Sequence, residues 1–409
     1  MRKTNIPNFI WMVLITLLIG AVGYAEDISA PEPQGEPQAQ AISSNDMPLF
    51  PICVGGKYGY IDKTGKIVIE PQFDYTCFFH EGLAEVRVGE KWGYIDKTGK
   101  YVAEPQFGET EFGMGFSEGL ARVMVGDKYG YIDKTGKCVI DPQFDWAWDF
   151  FEGLAAVRVS EKWGYIDKTG KYVAEPRFDS ALDFSEGLAA VWVGEKCGCI
   201  DKTGEYVIEP QSDWTIVPQS EYDDGGFIEG LAAVRVGDWE TGKFGYIDKT
   251  GKYIAEPQFD FHGYDMGFSE GLAKVKVGDK YGYIDKTGKY VIEPQFVCAE
   301  DFSEGLAAVR VGDWEKGKWG YIDKTGKYVA EPQFDSDEHG MGFSEGLAAV
   351  RVGDWETGKW GYIDTTGKYV VEPRFDNAWP FSEGLAEVMI GDKWGYIDKT
   401  GKYVWEPTN

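Results

Sequence analysis

Apolar and polar residues alternate in short runs along most of this chain, and the runs return in the same order. From Lys91, K-W-G-Y-I-D alternates with period two and reads as a strand. D-K-T-G reads as a tight turn with glycine where φ turns positive, and K-Y-V-A-E-P reads as a returning strand ended by proline. A loop of the form P-Q-F-D-x-A-x-D-F-S-E-G leads to L-A-A-V-R-V, a third strand, and a Gly-Asp-Lys or Gly-Glu-Lys link reaches the next W-G. Each unit is therefore predicted to hold three short antiparallel strands. Within W-G-Y-I-D, Trp92 and Tyr94 point one way while Gly93 and Ile95 point the other. Glycine weakens a strand unless something needs the space, so an aromatic ring from a neighbouring strand or unit is predicted over that bare backbone.

The residue before the glycine recurs at Tyr58, Trp92, Tyr129, Trp163, Cys197, Phe244, Tyr281, Trp319, Trp360 and Trp394. Steps of 34 residues recur, and longer steps carry their excess in two places only: between Pro and Glu-Gly-Leu, or in inserts such as the W-E-T-G at Trp239. Insertions confined in this way mark loops on a constant scaffold. A unit of about 34 residues is too small to close its own core, so stacked units must complete one another. The expected fold is all-β: a tandem array of about ten units over 51–409. An open superhelix is expected because about ten units exceed the usual blade number of a propeller; a closed propeller-like ring is the alternative. In the fifth unit Cys197 replaces the aromatic residue, Cys199 the tyrosine and Ser212 the phenylalanine, just before the longest loop. A bend or soft joint is predicted there unless the loop fills the gap.

The ordered return of aromatic-Gly-Tyr-Ile-Asp-x-x-Gly, Glu-Pro and Glu-Gly-Leu-Ala from about Val54 to Pro407 resembles the WG-repeat family of bacterial proteins. That resemblance implies a β-rich array with a binding or scaffolding role and no defined catalytic residues.

Charge and the N-terminus add an address. The chain opens MRK, continues F-I-W-M-V-L-I-T-L-L-I-G and places small residues at Gly23 and Ala25, so 1–25 reads as a signal peptide cleaved after Ala25. The alternative is an N-terminal membrane anchor, since the apolar run is about 17 residues, the lower limit for a span. Residues 26–50, rich in Pro, Gln and Glu, read as a disordered linker. Export to the periplasm or the cell exterior is expected, as a monomer with no membrane insertion after cleavage. With 41 basic against 68 acidic residues the net charge is −27, which repels nucleic acid and anionic lipid and keeps a long β protein soluble. Six cysteines, Cys53, Cys77, Cys138, Cys197, Cys199 and Cys298, do not recur in register and do not form a legible disulfide framework.

Candidate chemistry is sparse. Ten turn aspartates, from Asp62 to Asp398, read as caps of their own turns; calcium would need six to eight oxygens where each turn offers one carboxylate. Arg87, Arg158, Arg235, Arg310 and Arg351 share one position of the third strand and are expected to pair with nearby acids, an anion-binding row being the other reading. Trp239, Trp314 and Trp355 sit in G-D-W-E-x-G-K inserts and could stack on a sugar or anchor a protein partner; folding back onto the hairpin is the plain structural reading. Trp146 and Trp148, two apart, would share a face, and the inserts around Met114, Met266 and Met341 read as local packing. His80, His262 and His339 lack a second histidine at metal spacing, and no phosphate-cradling loop or nucleophile elbow is present. The expectation is a non-catalytic binding or scaffold protein without cofactor or metal. Its loops would bind a protein partner, or alternatively cell-envelope polysaccharide through their tryptophans.

Overall fold

The computed structural model describes residues 47–109, 115–211, 214–217, 226–238, 241–260, 266–313, 316–335, 342–354 and 356–408. The predicted strands form where period-two alternation placed them, except that the Glu-Pro strand does not end at its proline but runs on to the phenylalanine two residues later, as over Tyr101–Phe107, with the register shift taking up the proline. In the first unit β1 (Phe50–Val54), β2 (Lys57–Ile61) and β3 (Ile67–Phe73) make a three-stranded antiparallel sheet. The second unit adds a strand too short for patterning to reveal: β4 (Tyr75–Thr76) lies beside β5 (Leu83–Val88), then β6 (Lys91–Asp96) and β7 (Tyr101–Phe107). Ten such sheets are present among the described residues, eight with four strands and two with three. Each is a blade of consecutive strands.

The blades bury one another. One apolar core lies between each pair of neighbours: Tyr60, Ile69 and Phe73 of the first blade, for example, pack on Ala84, Val86 and Ile95 of the second. A buried tyrosine hydroxyl usually needs a partner, and here it donates to a carbonyl of the next blade, as Tyr165 does to Leu182 O at 2.6 Å and Tyr362 to Trp379 O at 2.7 Å.

An open array of ten blades would have nine such interfaces. Among the described residues there are ten cores, and the tenth joins Leu385 and Tyr396 of the last blade to Phe50, Ile52 and Ile61 of the first. Tyr396 Oη donates to Pro51 O at 2.9 Å, repeating across this seam the bond made elsewhere between neighbours. The array is therefore a closed ten-bladed ring, a β-propeller, and the open superhelix expected from blade number is corrected. Among the described residues no strand is exchanged across the seam; side-chain packing closes it.

A second clamp runs around the ring at its Glu-Gly turns. Each turn glutamate holds a left-handed backbone, with φ of 50° at Glu81 and 53° at Glu383, a conformation unfavourable for a residue with a side chain. The strain is offset by where the carboxylate then reaches. Glu81 accepts Gly119 N at 2.8 Å and meets Lys134 at 3.1 Å, both from the next blade, and Glu345 likewise takes Gly384 N and Lys399. Lys63 and Glu383, at 3.7 Å, continue the clamp across the seam.

The glycine after each aromatic residue needs its space for a different reason from the one predicted. Between the pairs Trp92↔Phe107 and Tyr94↔Ala103 the register shifts, so β7 bulges at Glu104 and Pro105. A Cβ on Gly93 would lie 2.6 Å from Ala103 O and 2.7 Å from Pro105 N. Backbone of the same blade, and no aromatic ring, fills the place. Alanine at the equivalent Gly320 should lower stability by about 2–3 kcal/mol, read from a denaturant midpoint, because backbone cannot step aside as a side chain would.

The fifth blade is filled. Cys197 and Cys199 are fully buried among Trp214, Ile216 and Phe227, the first two supplied by the segment leading into the long loop. Trp192 stands opposite Cys197 in the register, so the ring missing from one strand is replaced from its cross-strand partner. Trp214→Ala should therefore cost about 3–5 kcal/mol in unfolding free energy, well above a surface tryptophan.

Candidate binding surfaces

Equivalent loops touch from blade to blade along the two-residue strands, as where Ser117 Oγ donates to Phe150 O at 2.7 Å. The Glu-Pro strands instead expose alternate residues. The short strands thus line the inner side of the ring and the Glu-Pro strands its rim. On the rim, proline and an outward carboxylate in each edge strand, such as Glu104 and Pro105, discourage pairing with another chain.

One face collects the hairpins that join the Leu-Ala-x-Val strand to the W-G strand. The last residue of the former is apolar, and exposed in most blades: Val88 at 42%, Val125 at 51% and Ile390 at 42%. Val159 and Val236 at the same position are half-buried and pack on neighbouring cores; the exposed ones are open to solvent. The inserts that carry Trp239, Trp314 and Trp355 connect strands at this same face, while those three tryptophans lie outside the described residues. Between the blades, Lys57 pairs with Asp74 at 2.5 Å, and Lys162 with Asp179 and Lys359 with Asp376 in the same way.

Trp146 and Trp148 lie on the inner side, half-buried, and the structure does bring them together: their rings meet edge to face at 5.8 Å. Trp148 lies parallel to Trp163 at 6.4 Å, and Tyr129 of the preceding blade touches Trp146 at 5.3 Å. Guanidinium groups thread this cluster. Arg122 stands 5.6 Å from the Trp148 ring and Arg158 5.7 Å from that of Trp163. Buried Arg122 also donates to Ala147 O and faces buried Asp149 at 3.7 Å.

Register sets what the arginine row lies against. Arg87 pairs with Trp92 and Arg351 with Trp360 across neighbouring strands, which lays each guanidinium over a ring, at 5.6 and 5.9 Å. Carboxylates also stand near the row, Asp74 acting on Arg87 and Asp354 on Arg351, so stacking on aromatic faces adds to the expected acidic surroundings. Each turn aspartate is held by its own turn: Asp62 Oδ1 accepts Thr64 N at 2.8 Å, Thr64 Oγ1 at 2.6 Å and Lys66 N at 3.1 Å. Those bonds hold its carboxyl below the usual range despite some desolvation. Among the described residues no group of three or more His, Cys, Asp and Glu is placed to hold a metal ion.

Of the other candidates, Met266 is buried in the core, whereas Met114, Met341, His262 and His339 lie outside the described residues. Burial lowers the pKa of His80, whose Nε2 makes no hydrogen bond. Burial pushes the thiols of Cys77 and Cys197 up to about 12 and about 11, which keeps them protonated and unreactive.

Sequence reasoning missed a second aromatic pair on the inner side, Trp379 and Trp394 of the last blade, whose rings meet at 4.8 Å and 78°. The signal was present: A-W-D-F at Trp148 and A-W-P-F at Trp379 are the same repeat position. It missed two inward-facing glutamates too, one buried and one half-buried. Glu85 and Glu387 occupy the third position of Leu-Ala-x-Val, and burial raises each carboxyl to about 7.

Nine consecutive segments, 58–92, 92–129, 129–163, 163–197, 198–238, 244–281, 281–313, 319–354 and 360–394, match the family described as WG containing repeat. The chain belongs to the WG-repeat family. Each match runs from one W-G position to about the next, so a matched repeat takes strands from two neighbouring blades of this WG-repeat ring. No curated protein matches the chain. Among solved structures it is similar to apo AztD from Citrobacter koseri, at 12% identity and a TM-score of 0.34, covering 79% of this chain and 93% of that one. It is similar to Kluyveromyces lactis Hsv2 at 11% identity and 0.31, covering 68% and 95%. Against the tricorn protease the identity is 12% and the TM-score 0.24, and the WG-repeat chain, 87% of it covered, spans 44% of that protein's length. Among the described residues no helix is long and apolar enough to cross a membrane.

Proposed function

We propose that this WG-repeat ring is an exported, non-catalytic scaffold that docks a protein partner on its hairpin face. The observation that carries this reading is the apolar residue exposed at that hairpin position in most blades, among them Val88, Val193, Val277, Val311 and Val352. The inserts with Trp239, Trp314 and Trp355 belong to hairpins of the same face and add the residue type most often found at interface anchors. Export rests on the leader-like segment 1–25.

The test is capture from envelope extract by wild-type protein, by Trp239→Ala/Trp314→Ala/Trp355→Ala, and by Val311→Lys/Val352→Lys. A rim control, Val291→Lys, accompanies them. The proposal expects a partner retained by wild type and the rim control and lost by both hairpin variants. Equal retention by all four sinks it.

Polysaccharide binding is the second reading, favoured by the half-buried rings of Trp146, Trp148 and Trp163 with Arg122 and Arg158 between them. A glycan panel run beside the capture separates the two, because Trp148→Ala would abolish glycan binding and leave protein capture unchanged.

A further inference from the structure

Five blades place alanine at the third position of the Leu-Ala-x-Val strand, and Ala156, Ala190 and Ala308 among them are buried, so the scaffold needs nothing larger there. Four blades place an ionisable group instead, and three of these are matched. Arg122 faces Asp149 at 3.7 Å, Lys274 faces Asp301 at 3.8 Å, and Glu85 accepts the Tyr94 hydroxyl at 3.2 Å. Glu387 differs: it is half-buried, and its carboxylate has neither hydrogen bond nor ion pair among the described residues. A half-buried carboxylate that no group of the fold engages is open to a cationic partner from outside it.

The neighbouring rings indicate what that partner is. Glu387 stands opposite Tyr396 in the register, and Trp379 N donates to Glu387 O at 3.0 Å on its other side, so Trp379 shares its face. Trp379 in turn meets Trp394. In the second, fourth and ninth blades the tryptophan at the Trp394 position is covered by the blade's own arginine, at 5.6, 5.7 and 5.9 Å. The tenth blade has Met389 where that arginine stands. An acid has been added and a guanidinium removed in the same blade.

We propose that Glu387, Trp379 and Trp394 form a receptor for the guanidinium of an arginine side chain presented by a peptide. A planar guanidinium matches both elements, bidentate to the carboxylate and stacked on an indole face. The −27 charge of the chain favours the approach of a cation. Segment 26–46 contains no Lys or Arg and so offers no guanidinium of its own. The site lies on the inner side of the ring, apart from the hairpin face, and its test involves no hairpin residue.

The test is calorimetric titration of the full chain with Nα-acetyl-arginine amide, Nα-acetyl-lysine amide and Nα-acetyl-citrulline amide, the last being neutral and nearly the same shape as arginine. Two variants accompany wild type: Glu387→Gln, and Met389→Arg, which restores the internal cation of the other blades. Saturable binding of the arginine probe is expected, at least tenfold weaker for the citrulline probe. Glu387→Gln should weaken it at least tenfold and Met389→Arg should abolish it, both variants melting at or above the wild-type temperature. The proposal fails if the arginine probe does not saturate, if citrulline binds as well, or if neither variant changes the affinity. Tighter binding of the lysine probe overturns the guanidinium assignment.

Discussion

A chain ending at Phe375, without its tenth blade, should lose cooperative folding. In an open array such a deletion removes one terminal unit and one interface. In a closed ring it uncovers two: the core holding Leu347, Trp360, Tyr362 and Phe375, and the core holding Phe50, Ile52 and Ile61. Burial of each such side chain contributes roughly 1.5–3 kcal/mol, so the loss exceeds the 5–15 kcal/mol or so by which a folded domain usually outweighs its unfolded chain. Circular dichroism melts with sedimentation velocity would show a broad, early transition and association through the uncovered faces. A sharp transition near the wild-type temperature in a monomer would speak for an open array.

Glutamine at both Glu85 and Glu387 should remove most of a stability decline that wild type shows between pH 4.5 and 7. Burial raises each carboxyl from an ordinary value of 4.5 to about 7, so the folded state binds the proton more tightly than the unfolded chain does. Their contribution is fully present below pH 4.5 and declines as pH rises toward 7, by about 3 kcal/mol for each group. Around Glu85 the Tyr94 hydroxyl and Arg122 favour the ionised form, while Asp149, Glu109 and desolvation oppose it more strongly. Glu387 acts on Tyr58, Tyr362 and Tyr396 and has no basic neighbour to lower it. His80 works the other way, since burial lowers its pKa and its contribution is lost as pH falls below 6.5. The turn aspartates, held below their ordinary 3.8, lose theirs only in stronger acid. Urea midpoints measured across this range decide the matter: a double variant that declines as steeply as wild type would show that the glutamates are not the source.

What the chain itself made legible follows the range of each interaction. Strands and turns were readable because alternation and the Asp-Lys-Thr-Gly turns are local. The fourth strand was not, since two residues such as Tyr75 and Thr76 carry no period. That Gly93 needs space was readable; the occupant was not, because the bulge at Glu104 and Pro105 depends on cross-strand register. The arginine position was visible as a row, but its stacking on Trp92 or Trp360 depends on cross-strand register and was not. Closure depends on the angle between blades summed over ten of them, which no single repeat encodes. One clue did exist: the first turn lysine, Lys63, and the last turn glutamate, Glu383, would each lack a partner in an open array.

That pair supplies the most direct measurement. Zero-length carbodiimide coupling of the monomer, followed by peptide mass spectrometry, joins lysines to carboxylates they touch. Lys134–Glu81 and Lys399–Glu345, both at 3.1 Å, serve as internal controls. The ring predicts an additional intramolecular link between Lys63 and Glu383, far apart in sequence and 3.7 Å apart here. Coupling of the controls without any Lys63–Glu383 product would contradict closure.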